Sequence, residues 1–200
     1  MLELLALVIA YLLGAIPVGY LLVKLTTGKD VRTAGSRNIG ATNVLRTTNR
    51  ALGVLTLSVD IGKGFLAVWI AGMLTGGSPM WTSAAALAVI AGHAYPVFLR
   101  FKGGKAVASF IGAFLHVAPI PLLASLVVFI AVVAKTRYIS AGSIMAVASF
   151  PFAVWLISHP PHEVLVHSFI AAAFIVYRHK ANIRRIRAGT EYIFKWTSQT

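Results

Sequence analysis

The chain has 200 residues, of which 58% are hydrophobic and 12% charged, whereas a soluble domain has about 25% charged residues. The mean hydropathy is +0.82, so the composition excludes a soluble globular protein and indicates an integral membrane protein. Basic cytoplasmic loops of a membrane protein explain the net charge of +13. The sequence offers no soluble domain that could carry a basic binding face, so we expect no nucleic-acid partner.

Seven apolar runs predict membrane-spanning helices in a single all-α domain that covers residues 1–200. They lie near residues 3–25, 52–75, 81–99, 106–118, 120–135, 143–158 and 164–178. The region 106–134 is ambiguous, because it could form one long helix or two short arms broken at Pro119-Ile120-Pro121. Each arm would be about 20 Å long against a hydrocarbon core of about 30 Å, so length alone disfavours two crossings.

The distribution of basic residues favours two crossings in this region. With them, 17 of the 18 Lys and Arg residues, Lys195 included, fall on one face of the membrane, and only Lys63 lies inside a span. A single crossing would place the last eight of these on the opposite face, against the positive-inside rule. We therefore predict a polytopic bundle of seven transmembrane helices, two of them short, with the N-terminus outside and the C-terminus in the cytoplasm.

Three stretches rich in small and polar residues interrupt the apolar chain on the predicted cytoplasmic face. They read Gly35-Ser36-Arg37-Asn38-Ile39-Gly40-Ala41-Thr42-Asn43-Val44-Leu45-Arg46, Lys102-Gly103-Gly104-Lys105 and His179-Lys180-Ala181-Asn182-Ile183-Arg184-Arg185. Glycine lets backbone N–H groups approach a ligand, and Arg and Lys bind phosphate through charge-assisted hydrogen bonds. The pattern predicts an anion site for phosphate esters at one face of the membrane.

Each stretch also has a purely structural interpretation. The first could be a turn followed by a helix N-cap, and the second an ordinary basic turn, since the P-loop spacing is absent. In the third, His179 and Asn182 would share a face of a continuing helix, and His179 could donate to phosphate or move a proton. The neighbouring arginines could simply hold anionic lipid head groups.

Two polar features lie inside or at the edge of the spans. Asp60 and Lys63 stand one turn apart, which favours a structural ion pair that also helps to set the potential of the site. His93 and Tyr95 precede Pro96 and predict a kinked interfacial segment. With five acidic residues in the chain and no metal-like grouping of His, Asp and Glu, we expect neither a metal nor a cofactor.

At the three polar stretches the chain resembles the bacterial acyl-phosphate–glycerol-3-phosphate acyltransferases, with three motifs in order over nearly its whole length. The third motif continues into Gly189-x-Glu191. Two positions depart from the family pattern, because Arg37 stands where Gly is usual and Ala181 where Glu is common. The His-x4-Asp motif of the other large group of glycerolipid acyltransferases is absent.

The resemblance implies transfer of a fatty acyl group from acyl phosphate to the 1-hydroxyl of glycerol-3-phosphate, giving lysophosphatidic acid and phosphate. It implies a multi-pass protein of the bacterial cytoplasmic membrane, with glycerol-3-phosphate, fatty acyl phosphate and membrane lipid as partners. The expected catalytic residues are Ser36, Arg46, Lys105, His179 and Asn182. Expected substrate-binding residues are Asn38, Gly40, Thr42, Asn43, Lys102, Gly103, Gly104, Ser143, Arg185 and Glu191.

Two other classes of protein stay open at this point. A phosphate or sugar-phosphate transporter would use similar cations, but it ought to place them near the midplane of broken helices and to show repeat symmetry. Here the cations crowd one surface and the sequence has no evident internal repeat. A non-catalytic membrane subunit could use the basic loops to hold a partner or anionic lipid.

Overall fold

The computed structural model describes residues 1–194, and Lys195 lies outside them. Every regular element in this range is helical. The α-helices are α1 (Leu2–Ala15), α2 (Val18–Thr27), α3 (Ala41–Thr47), α4 (Arg50–Leu74), α5 (Pro79–Ala94), α6 (Val107–Val117), α7 (Pro119–Thr136), α8 (Ile139–Ala153), α9 (His162–Arg178) and α10 (Lys180–Arg187). Short 3₁₀ turns occur at Val31–Thr33 and Val97–Leu99, and a π turn at Val154–Ser158.

Among the described residues, five helical stretches are long and apolar enough to cross a membrane. They are Leu2–Thr27, Arg50–Leu74, Pro79–Leu99, Pro119–Thr136 and Ile139–Ser158. The all-α membrane architecture is therefore confirmed, and a helix lies at each of the seven predicted spans. Because α6 has 11 residues and α9 has 17, about 17 and 26 Å against a core of about 30 Å, seven crossings and the orientation of the termini stay predictions.

Prolines interrupt the apolar runs at two places. The break predicted near Pro119 is observed, with α6 ending at Val117 and α7 beginning at Pro119, where a first-turn proline needs no N–H partner. The first predicted span is also broken, because α1 ends at Ala15 and α2 begins only after Pro17. Proline cannot continue the helical hydrogen-bond ladder, and the uninterrupted hydropathy of residues 3–25 conceals this second break.

The helices pack into two compact units, Met1–Val117 and the described residues from Ala118 onward. In the first unit α1 packs on α5 and α4 on α6. A Cβ on Gly64 of α4 or on Gly112 of α6 would overlap a backbone carbonyl of the other helix, so this pair is held by the close approach of small residues that is common in membranes. The interpretation of the chain as one domain stays a prediction.

In the second unit α7 packs on α8 and α8 on α9. Pro151 lies inside α8, and the helix continues as the π turn Val154–Ser158. A proline removes one backbone donor, and a π turn is one way in which a helix accommodates such a disruption. The cytoplasmic end predicted for α9 is followed, after His179, by the separate short helix α10.

A buried ion pair supports the broken first span. Lys63 Nζ lies 2.7 Å from Asp60 Oδ1 and donates a hydrogen bond of 2.8 Å to the carbonyl of Ile16, beside the break. Replacing one partner of a buried pair leaves an uncompensated charge, which costs about 3–5 kcal/mol. We therefore expect Lys63→Met to lower the thermal midpoint of the detergent-solubilised protein strongly.

The additional change Asp60→Asn should recover much of that loss, because it removes the orphaned charge. Thermal unfolding of the single and double variants, followed by intrinsic fluorescence, checks this. If Lys63→Met destabilised the parent and the Asp60→Asn variant equally, the two positions would not be coupled, and the ion pair would be contradicted.

Candidate active site

Asn43 organises the first polar stretch. Its side-chain Nδ2 lies 3.1, 3.2 and 2.8 Å from the carbonyls of Val31, Ala34 and Asn38, and its Oδ1 accepts the N–H of Ser36 at 2.8 Å. The side chain is 2% exposed. One amide group on α3 thus contacts four backbone groups of the loop before it, with its two N–H donors shared among three carbonyls, so the geometry makes Asn43 a residue that shapes the loop.

The loop also has an apolar core of its own. Val31, Ile39 and Val44 are buried together with Val23 of α2 and Leu99 of the turn that precedes the second motif. Burial of such side chains stabilises a loop whose ordering would otherwise cost its full conformational entropy. The same cluster therefore anchors the first motif beside the start of the second motif, inside the first unit.

An ion pair braces the start of the loop. Arg32 donates three hydrogen bonds of 2.7–3.2 Å to the two carboxylate oxygens of Asp30, and its guanidinium lies 4.8 Å from the ring centroid of Tyr20. The hydrogen bonds from the Arg32 side chain hold the pKa of Asp30 below its ordinary value, more than desolvation raises it. Asp30 stays ionised and neutralises Arg32, so this cation serves the loop.

Backbone strain accompanies both motifs of the first unit. Arg37, at the position where the family pattern has Gly, adopts φ 57°. A side chain in this left-handed region costs about 1–2 kcal/mol, which explains the preference for glycine there. Three further non-glycine residues with φ of 52–65° flank the second motif, namely Arg100, Phe101 and Ala106. Strained positions of this kind concentrate at functional segments.

The second motif is docked on the end of α5. Gly103 N–H donates to the carbonyl of Ala94 at 3.2 Å, and Gly104 N–H donates to the carbonyl of His93 at 3.0 Å. These two N–H groups, which the sequence suggested as ligand donors, are therefore engaged by the fold. The cationic groups of the motif are Lys102, which is exposed, and Lys105, which is partly buried.

His179 lies at the junction of α9 and α10 in the second unit. The imidazole is 2% exposed, and its Nδ1 lies 2.8 Å from the carbonyl of Ile175. A carbonyl can only accept, so Nδ1 carries the hydrogen and Nε2 is the basic nitrogen of the neutral ring. In this tautomer, Nε2 is the ring nitrogen that can take up a proton.

Glu191 joins three side chains of the second unit. Its Oε1 accepts from Ser140 Oγ at 3.0 Å and from Asn182 Nδ2 at 2.8 Å, and its Oε2 accepts from Arg185 Nε at 2.8 Å. Burial by itself would raise the pKa of Glu191, but the hydrogen bonds from Asn182, Arg185 and Ser140 outweigh it and lower the pKa. The carboxylate stays ionised and holds α8, α10 and the following segment together.

The amide of Asn182 is only partly satisfied. Its Nδ2 is held by Glu191, whereas its Oδ1 is buried and has no hydrogen-bond partner among residues 1–194. A buried acceptor without a donor costs about 1–3 kcal/mol and is uncommon. The exposed fraction of the residue is 4%, so this unpaired acceptor lies inside the second unit.

The remaining predicted residues of the first unit serve the turn before α3 or reach the surface. Asn38 Oδ1 accepts the N–H of Gly40 at 2.8 Å and so shapes this turn. Three others lie at positions that are partly or fully exposed: Ser36, Thr42 and Arg46. Their side chains are therefore accessible to a ligand from solvent.

The two serines of α8 have different roles. Ser143 Oγ donates to the carbonyl of Ile139 at 2.9 Å, within its own helix. Ser140, a weaker candidate from the sequence, donates from Oγ to Glu191 Oε1 instead. The available signal in the sequence was the pair of hydroxyls at 140 and 143, since residues three apart share a helix face.

The charge of Glu191 gives a pH dependence with a definite sign. Because the folded pKa is lower than the ordinary value of 4.5, the carboxylate contributes stability above that value, which is lost as the pH falls through the folded pKa. We expect the thermal midpoint to fall in acid, and Glu191→Gln to be less stable than the parent at neutral pH. The gap between the two proteins should narrow in acid, and a gap independent of pH would contradict an ionised Glu191.

These features define a multi-pass helical membrane protein with two sets of cationic, amide and hydroxyl groups. The sequence model described as "Glycerol-3-phosphate acyltransferase" matches residues 4–189, which include all three polar stretches. The chain belongs to the glycerol-3-phosphate acyltransferase family.

Relatives and solved structures agree with this membership. The chain is 48% identical over 193 residues to the glycerol-3-phosphate acyltransferase of Geotalea daltonii, covering 96% of this chain and 98% of the relative. It is 50% identical over 188 residues to the glycerol-3-phosphate acyltransferase of Trichlorobacter lovleyi, covering 93% of this chain and 94% of the relative. A crystal structure of PlsY, an integral membrane glycerol 3-phosphate acyltransferase, in its glycerol 3-phosphate form has a TM-score of 0.91 at 38% identity, covering 96% of each chain. The lysophosphatidic acid form has a TM-score of 0.88 at 37% identity, covering 96% of this chain and 95% of that one.

Proposed function

We propose that this chain transfers a fatty acyl group from an acyl phosphate to the 1-hydroxyl of glycerol-3-phosphate at the inner face of a bacterial cytoplasmic membrane. The observation that carries the proposal is the family match over residues 4–189, which includes the three polar stretches. A transporter is not favoured, because the relatives are named as acyltransferases over nearly their whole length.

Both substrates carry phosphate, so the enzyme must hold two anions that repel each other. We assign this task to Ser36, Arg46 and Lys105 of the first unit and to His179 and Asn182 of the second. Charge-assisted hydrogen bonds from such groups neutralise and orient phosphate esters. The other predicted residues would shape or extend these two sets: Asn38, Gly40, Thr42, Asn43, Lys102, Gly103, Gly104, Ser143, Arg185 and Glu191.

The chemical step is a direct acyl transfer. The glycerol O1 forms a bond with the acyl carbonyl carbon, the bond from that carbon to the phosphate oxygen breaks, and phosphate leaves. The hydroxyl proton passes either to His179 Nε2 or to a phosphate oxygen of the donor. Acyl phosphate is a mixed anhydride with a good leaving group, so the enzyme mainly positions the reactants and stabilises charge.

In the second unit, Asn182 and Glu191 would have different roles in binding the glycerol 1-hydroxyl. Asn182 Oδ1 is a buried acceptor without a donor among the described residues, and the glycerol 1-hydroxyl can supply one. Glu191 would act through its neighbours, because its carboxylate is already held by Ser140, Asn182 and Arg185 and would repel phosphate. We therefore assign Glu191 to the positioning of Asn182 and Arg185.

An apolar groove of about 470 Å³ along α8 and α9 can accept an acyl chain. Its lining includes Val176 and Tyr177, which are close in sequence to His179. The other lining residues are Ala148, Pro151, Phe152, Phe169, Ala172 and Ala173. Each methylene that leaves water for an apolar environment gains about 0.8 kcal/mol. A chain lying here would leave its phosphate end near the polar groups of the second unit.

The role of His179 can be resolved by His179→Gln. If Nε2 is the proton acceptor, acyl transfer should fall by about 10²–10⁴-fold while binding of glycerol-3-phosphate persists. Steady-state kinetics together with calorimetric titration of glycerol-3-phosphate checks this. Loss of both activity and binding would instead assign His179 to substrate capture.

The function itself is tested with purified protein in detergent, palmitoyl phosphate and glycerol-3-phosphate. The expected result is release of phosphate with equal formation of lysophosphatidic acid, and no phosphate release when glycerol-3-phosphate is omitted. Uptake of labelled glycerol-3-phosphate into proteoliposomes without acyl phosphate would favour the transporter. An acylated serine isolated after incubation with the donor alone would refute direct transfer.

A further inference from the structure

A buried polar cluster in the first unit lies outside the groups assigned to substrate above. Asp60 Oδ1 is 2.7 Å from Lys63 Nζ and 3.6 Å from His93 Nδ1, and Ser109 Oγ is 3.3 Å from the same ring nitrogen. All four residues are buried. Ionisable groups inside a membrane protein are costly and usually serve function, and an ion pair alone would not require a histidine and a hydroxyl.

The histidine of this cluster supports the second motif by two contacts. Its backbone carbonyl accepts the N–H of Gly104 at 3.0 Å. Its ring lies directly against the α-carbon of Gly104, because a Cβ built there would overlap Nε2 of His93. Gly104 precedes Lys105, so the position of the imidazole sets the path of the backbone that carries the lysine.

The opposite side of the cluster is fixed to other helices. Lys63 Nζ donates to the carbonyl of Ile16 at the break between α1 and α2, and Ser109 belongs to the first turn of α6, just after the motif. The orientation of the His93 ring is therefore determined from α4 and α6 at once. Buried side chains held from several elements retain one geometry, which is what a rigid phosphate-binding loop needs.

We infer that His93 is a positioning residue for the Lys102–Lys105 loop, held by Asp60, Lys63 and Ser109, and that it acts on substrate affinity through Lys105. The inference rests on the proposed acyltransferase function. His93 is not assigned a proton transfer with substrate, since the imidazole ring faces Gly104, Asp60 and Ser109. The inference predicts that loss of the imidazole impairs the same substrate that Lys105 binds.

The first experiment compares His93→Ala with Lys105→Met in palmitoyl phosphate and glycerol-3-phosphate kinetics. Lys105→Met identifies which substrate the lysine binds, by the KM that rises. His93→Ala should raise the KM of that same substrate on the order of 10- to 100-fold, with a much smaller change in kcat. His93→Asn, whose amide can replace the Nδ1 contacts, should recover part of the affinity. A fall in kcat alone, with both KM values unchanged, would overturn the inference.

The second experiment is a double-mutant cycle between His93 and Gly104. Gly104→Ala forces a methyl group against the ring and should raise the same KM, but the methyl group has room once the ring is gone. Adding Gly104→Ala to His93→Ala should therefore cost far less than it does in the parent. Additive effects on KM would contradict the inference, because residues that act through one contact are not additive.

A matched control and the parent protein separate the possible failures. His116→Ala removes a histidine at the far end of α6, about 14 Å along the helix from its start, and should leave both KM values unchanged. An increase like that of His93→Ala would mean general loosening of the unit and would overturn the inference. Absence of activity in the parent would refute the proposed function instead, a result that the His93 variants cannot mimic.

Discussion

An Asn43→Ala variant is expected to lose acyl transfer by about three orders of magnitude while its membrane helices stay folded. The change removes the partners of one backbone N–H and three backbone carbonyls in the first loop. Each buried group left unsatisfied costs about 1–3 kcal/mol. The cost falls on the loop that carries Ser36 and precedes Arg46, so local unfolding disperses these groups. Turnover with palmitoyl phosphate, together with circular dichroism in detergent, measures the two expectations.

Asn49→Ala is the matched control for this prediction. Asn49 caps α4 by accepting the N–H of Leu52 at 2.9 Å, and loss of such a cap costs about 1 kcal/mol. Its side chain has no part in the loop network described for Asn43, so turnover should stay close to that of the parent. Comparable loss of activity in both variants would show that the region is sensitive to any lost hydrogen bond, and the special role of Asn43 would be refuted.

Asn182→Asp is the second change for which we expect a very large effect. It places a carboxylate where Nδ2 now lies 2.8 Å from Glu191 Oε1. Two carboxylates at this distance cannot both stay ionised without strong repulsion, so one takes up a proton or the side chains separate. The acceptor proposed for the glycerol hydroxyl is then displaced. We expect kcat/KM to fall by about 10³-fold, together with a lower thermal midpoint.

Combining Asn182→Asp with Glu191→Gln separates folding from catalysis. The amide of the new glutamine can donate to the new carboxylate, which restores a hydrogen bond of reversed polarity. The thermal midpoint should rise above that of Asn182→Asp, but activity should stay low because Arg185 has lost its anionic partner at Glu191. Full recovery of activity in the double variant would show that neither the amide at 182 nor the charge at 191 is needed, contrary to the proposed arrangement.

The sequence predicts the helices well because membrane spans are read from composition and length. The break before Pro119 could be expected, since two prolines there coincide with a charge pattern that favours it. The break at Pro17 could not be inferred in the same way, because no polar residue marks it. Its stabilisation by Lys63 depends on a contact between residues 47 positions apart, which no local pattern encodes.

The candidate site shows the same limit. The sequence places Asn43, Asn182 and Glu191 in motifs, but it does not say which atoms of each amide or carboxylate are already used by the fold. His93 is a further example, because its position before Pro96 predicted an interfacial residue and the structure buries it against Asp60. Hydropathy and spacing describe single elements, whereas these roles arise from packing between elements.

The described residues after α10 form no helix, but they contact other helices, which matters when truncated variants are judged. A chain that stopped at Gly189 would keep all ten α-helices of the described range, and it would insert and sediment like the parent. It would nevertheless lack the carboxylate that joins Ser140, Asn182 and Arg185, and the N–H of Phe194 that donates to the carbonyl of Arg137 at 2.8 Å. Truncation before Glu191 should therefore yield a protein that retains its helices but is less stable and does not transfer acyl groups.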